Sequence, residues 1–60
     1  MYENVEKSSV LEEMNTGAEM YLVDFSTRRV LDCGEMLISA VRSFIDKDEA
    51  MFFKKVENIG

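Results

Sequence analysis

An α+β fold follows from three features of the sequence. Residues 36–45 repeat apolar side chains at helical spacing, two short aromatic and β-branched runs at 19–25 and 29–33 flank a polar turn, and residues 50–57 add another such run. With a short helix near the N-terminus the order reads αββαβ. It predicts a small antiparallel or mixed three-stranded sheet packed against one main amphipathic helix, as a single domain over residues 1–60.

Residues 1–8 have weak periodicity and are expected to fray or to extend the helix that follows. Ser9-Val10-Leu11-Glu12 has capping-box form: a hydroxyl for the third amide, and a glutamate three residues on to reach back. Val10, Leu11 and Met14 would line one side of this helix. Asn15-Thr16-Gly17 would end it, with Gly17 taking the left-handed turn. A strand over 9–14 competes with this reading; the capping signals favour helix.

Residues 19–25 read as a strand, Ser26-Thr27-Arg28 as a turn, and 29–33 as the returning strand of a tight hairpin. Asp32 can cap the next helix and Glu35 stands at the reciprocal third position. Beyond them Met36, Leu37, Ala40, Val41, Phe44 and Ile45 form one stripe, opposite Ser39, Arg42, Ser43 and Asp46. Asp46 to Glu49 is a polar connection. The adjacent Phe52 and Phe53 favour a strand over 50–57, and residues 58–60 read as a loose tail.

Size restricts how such a domain holds together. At 60 residues a chain buries only about 60% of the surface it exposes unfolded, so its stability is marginal without help. Cys33 is the only cysteine and there is no histidine, which excludes an internal disulfide and all but excludes a tetrahedral zinc site. No cofactor or metal is expected. A dense core or a second subunit remains. The acidic N-terminus is unlike a secretory leader, no apolar run nears the roughly 20 residues that span a bilayer, and a lone free thiol fits a reducing compartment. A cytoplasmic location, away from membranes, is the expectation.

Alternation along the strands suggests how a second subunit would attach. Tyr21, Val23 and Phe25 point away from Met20 and Leu22, so the sheet carries apolar side chains on both faces. One long helix covers one face. The other, read as Tyr21, Val23, Phe25 and Phe52, would be buried by the short N-terminal helix or by self-association, most simply as a homodimer.

Charge is divided unevenly. Residues 1–24 carry six acids against one base, a net of −5, whereas 25–60 balance six against six. Glu3, Glu6, Glu12, Glu13 and Glu19 therefore form a candidate surface for a basic protein partner; the plainer alternative is a solvated face that maintains solubility. Arg28 and Arg29, or Lys54 and Lys55 beside two phenylalanines, are the thin case for a nucleic-acid-associated regulator, and the acidic balance argues against it.

Catalytic constellations are lacking. Without histidine, and with no carboxylate pair marked out, acid–base and serine chemistry have no evident activating group. Cys33, near a helix start, could be a reactive thiol; the plainer alternative is a small buried residue. Asp46-Lys47-Asp48 resembles the start of a calcium loop, but Met51 stands where the turn needs glycine. The sequence thus points to a non-catalytic protein-binding module. Small regulators, antitoxins, and inhibitors made by phages or other mobile elements share this profile, acting by occluding a larger target.

Overall fold

The computed structural model describes residues 1–57. The tail expected over 58–60 lies outside the described residues. In chain order the elements are β1 (Tyr2–Val5), α1 (Val10–Asn15), β2 (Met20–Asp24), β3 (Val30–Asp32), α2 (Ile38–Lys47) and β4 (Ala50–Lys55). Short 3-10 turns, Lys7–Ser9 and Cys33–Glu35, lead into the two helices. The fold is α+β, with four antiparallel strands in one sheet ordered β1-β4-β2-β3.

The fourth strand corrects the expectation of three. Residues 1–8, for their weak periodicity, were expected to fray or to extend the helix that follows; of Tyr2–Val5 only Val5 turns even partly inward. What makes them a strand is backbone pairing with β4, from Tyr2 opposite Lys55 to Val5 opposite Phe52, continued by Val56 N–H donating to the Met1 carbonyl at 2.8 Å. Main-chain hydrogen bonds leave no side-chain signature, so this edge strand is silent in the apolar pattern.

The hairpin forms as expected, two residues shorter in β2 and in β3 than the runs that announced it. Asp24 organises its turn. The Asp24 Oδ1 accepts from Ser26 N–H at 2.9 Å, its carbonyl accepts from Arg28 N–H at 2.7 Å, and its own N–H donates to the Arg29 carbonyl. Arg28 takes the left-handed conformation, φ 59°, that closes the loop. Phe25 is thereby drawn out of β2 into the turn.

Both helix starts differ from expectation. Ser9 is already helical (φ −104°, ψ −7°) because a 3-10 turn precedes it, and its hydroxyl makes no capping bond. A capping side chain needs extended backbone beneath it. Asp32 does cap, accepting from Gly34 N–H at 2.9 Å, but what it caps is the 3-10 turn. Met36 and Leu37 then run extended before α2 begins. The interruption trims the expected stripe to Val41, Phe44 and Ile45, with Ala40 half-buried, and leaves Leu37 76% exposed. Met36 packs inward from outside the helix.

Helix ends are more legible. Gly17 at φ 85° closes α1, its N–H donating to the Met14 carbonyl and that of Ala18 to Glu13. Asp48 at φ 54° closes α2 in the same way, onto Ile45 and Phe44. Both are the paired reverse bonds of a left-handed helix stop. Asp48 also receives Lys7 in an ion pair at 2.9 Å.

All this structure lies on one side of the sheet. Met20, Leu22, Ala50 and Phe52 face the helices and meet Val10, Cys33 and Val41 in the buried core. Phe52→Ala should remove about 3–5 kcal/mol, enough to unfold a domain of this size, whereas Leu37→Ala should fall within about 0.5 kcal/mol of the native chain. Urea denaturation followed by circular dichroism measures both; equal midpoints would contradict the core described here.

Candidate functional site

The opposite face of the sheet is uncovered among the described residues, and its side chains follow from register. Across the middle run Asn4, Phe53, Tyr21 and Asp32, one from each strand. The next row toward the hairpin holds Met51, Val23 and Val30. The row at the other end holds Tyr2, Lys55 and Glu19, the last joined to Lys55 through the Lys55 N–H and its own carbonyl. Tyr2, Tyr21, Val23, Val30 and Phe53 line a shallow groove of about 460 Å³. Tyr2 and Tyr21 meet edge to face, ring centroids 5.9 Å apart at 82°.

The centre of this face is apolar and its margin charged. Val30 is 66% exposed, Tyr2 59% and Met51 46%, while Tyr21, Val23 and Phe53 are half-buried by their neighbours. Asn4, Asp32, Glu19 and Lys55 surround them. The Tyr21 hydroxyl donates to Glu19 Oε2 at 3.0 Å. That bond, followed by desolvation and the charges of Glu19 and Asp32, raises the Tyr21 phenol above its ordinary value.

Of the residues expected on this face, Tyr21 and Val23 are there. Phe52 is not: it is 1% exposed, in the core, and the phenylalanine on the open face is Phe53. Parity along β4 separates the two, but which one turns outward depends on its pairing with β2. Phe25 lies past the end of β2 and lines a different hollow with Val5, Lys7, Asp48 and Met51. Tyr2, Val30, Met51 and Phe53 were missed. Alternation in β4 pointed to Met51 with Phe53, whereas Tyr2 required knowing that β1 exists.

The five acidic residues do not form one surface. Glu13 is engaged by Lys54 Nζ at 3.0 Å, and Glu3 adds to the field there; the Glu13 bond and charge raise the Lys54 ammonium above its ordinary value. Glu6 and Glu12 are exposed, and Glu19 belongs to the open face. The basic residues are divided as well. Arg28 and Arg29 sit at the hairpin end, while Lys54 and Lys55 sit at the other end of β4, beside Met20 and Glu19. No continuous basic strip connects them, and Lys54 is already paired.

Cys33 is sealed at the junction of β3 and the following turn, with none of its surface exposed. Burial, reinforced by the Asp32 charge, pushes its thiol up to about 11. Nucleophilic thiols need the opposite shift. Among the described residues no group of three metal-ligating side chains converges, no buried side-chain polar atom lacks a partner, and no helix is long and apolar enough to cross a membrane.

The thiol gives a prediction with a defined sign. A folded-state value raised from 9.0 to about 11 means this contribution to stability is complete below pH 9 and lost as pH rises through 11. Unfolding midpoints should fall over that window, and less steeply in Cys33→Ala. At pH 8 a thiol reagent should label Cys33 no faster than the domain unfolds; rapid labelling of folded protein would show the site to be open.

No protein-family model matches the sequence, and no curated protein and no solved structure matches it either. The functional reading therefore rests on the geometry of the open face.

Proposed function

We propose that this chain is a non-catalytic protein-binding module, a small regulator or inhibitor that acts by association and occlusion, with the open sheet face as its recognition surface. The observation that carries this is the arrangement of that face: an apolar centre of Tyr21, Val23, Phe53, Met51 and Val30 inside a polar margin of Asn4, Asp32, Glu19 and Lys55. Protein interfaces have this anatomy, with charge depleted from the centre and aromatic side chains and methionine enriched.

Catalysis has no support of comparable weight. The one thiol is buried with its ionisation suppressed, and Tyr21 and Lys54 are held protonated by a hydrogen bond and an ion pair to neighbouring glutamates. The groove is shallow and lined by hydrocarbon and phenol groups rather than by convergent polar atoms. Burying it against a flat protein surface makes use of its shape.

Val23→Asp tests the reading. Val23 lies on the open face in an interior strand, so the substitution places a charge at the centre of the surface while leaving the core intact. Tagged native chain carried through an extract of its source cells should retain one protein in stoichiometric amount. The variant, with an unchanged melting temperature, should retain about tenfold less or lose it entirely. Equal retention by both chains would show that the open face does not bind.

A further inference from the structure

From the charge pattern on the open face we infer that the protein it fits is a second copy of this chain, docked face to face about a two-fold axis that runs along the strands. This rests on the reading of that face as a protein-binding surface. The argument is one of register. When two identical sheets stack with the axis parallel to their strands, rows stay level and the strand order reverses. In the order β1-β4-β2-β3, the β4 of one copy then lies over the β2 of the other, and β1 over β3.

The opposed side chains follow directly. Phe53 meets Tyr21 of the other copy and Met51 meets Val23, which joins the two apolar centres. Lys55 meets Glu19, and Asn4 meets Asp32, so an amide donor faces a carboxylate. Symmetry forms each contact twice. Stacked sheets cross at about 30°, which displaces the outer rows, and the long side chains of Lys55 and Glu19 can span that offset. Within one copy Lys55 and Glu19 are neighbours across the sheet, yet no ion pair between them is among those formed by the described residues. Lys55 is thus available to pair across the interface, and Glu19, whose Oε2 accepts from the Tyr21 hydroxyl, keeps its other oxygen for that contact.

The alternative two-fold, with its axis across the strands, stacks each strand on its own copy and inverts the rows. Lys55 would then find Glu49, but Asp32 would lie over Val30 and Glu19 would face no lysine. The Asp32 carboxylate of each copy would be desolvated against an apolar side chain, a loss without compensation. Charge therefore selects the axis along the strands.

Area sets the strength. Four strands at about 4.8 Å spacing and five residues at about 3.3 Å give a footprint of roughly 320 Å² per copy before side-chain relief is counted. That lies within the usual size of the largest apolar patch on a monomer and below the roughly 800 Å² per partner of a standard interface. The dimer should be specific but weak, with a dissociation constant on the order of 10 µM.

Sedimentation equilibrium from about 1 to about 500 µM spans that range. The native chain should pass from monomer to dimer, and Val23→Asp and Val30→Lys should stay monomeric with native circular dichroism. Lys55→Glu and Glu19→Lys each replace two attractive contacts by two repulsive ones and should weaken the dimer about tenfold. Mixed in equal amounts, the two variants can form a heterodimer in which both contacts are attractive again, and near-native association should return. No contact within a single copy can produce that rescue. A native chain that stays monomeric throughout, a dimer that survives Val23→Asp and Val30→Lys, or a mixture that fails to recover would each overturn the proposal. A monomer that still loses its extract partner on Val23→Asp would overturn self-pairing and leave the protein-binding reading standing. If neither self-association nor partner retention responds to Val23→Asp, both fail.

Discussion

The structure depends on the register of β4 between β1 and β2. The last strand in sequence is an interior strand in space, pairing antiparallel with the first strand on one side and with β2 on the other. Phe52 opposite Leu22 places the largest buried side chain among the described residues beneath the helices, and the same alternation turns Met51 and Phe53 to the other face. A slip of one residue would exchange the two sets. It would expose Phe52 and bury Phe53, and the lysine that reaches Glu13 would be lost from that side.

Apart from the β2–β3 hairpin, the pairs of this sheet close long loops. β1 and β4 are the strands farthest apart in sequence, so their pairing closes the longest loop of the sheet. The elements between them are secured locally. Gly17 and Asp48 stop the helices in left-handed turns, Asp24 holds the hairpin, and Asp32 holds the turn that buries Cys33. These short-range devices leave the tertiary pairing few alternatives, which matters in a chain too small for redundancy.

Placing both helices on one face has a functional consequence. One side of the sheet supplies the core, and the other keeps tyrosines, valines, a methionine and a phenylalanine in contact with solvent. A small domain needs that apolar content in its strands to favour extended backbone, yet has too few residues to cover both faces itself. The proposed association would cover that surplus, with the charges at the margin setting its partner and orientation. The buried thiol, by contrast, belongs wholly to the core.

What the sequence by itself determined was local: the hairpin about residues 26–28, the amphipathic run of α2, the helix stop at Gly17, the strand over Phe52 and Phe53, and the presence of apolar side chains on both faces. Each has a short-range cause, in turn chemistry, periodicity or a left-handed glycine. The tertiary structure alone decided the rest. Residues 2–5 became a strand because β4 had an unpaired edge to offer, and backbone pairing is written in no side chain. Ser9 lost its capping role to a preceding turn, and two extended residues cut the main helix short so that Met36 could pack beside Cys33 while Leu37 faced solvent. The choice of Phe53 over Phe52 for the open face, with Tyr2, Val30 and Met51 around it, is a matter of register. Register comes from which strands pair, a long-range fact that no window of sequence contains.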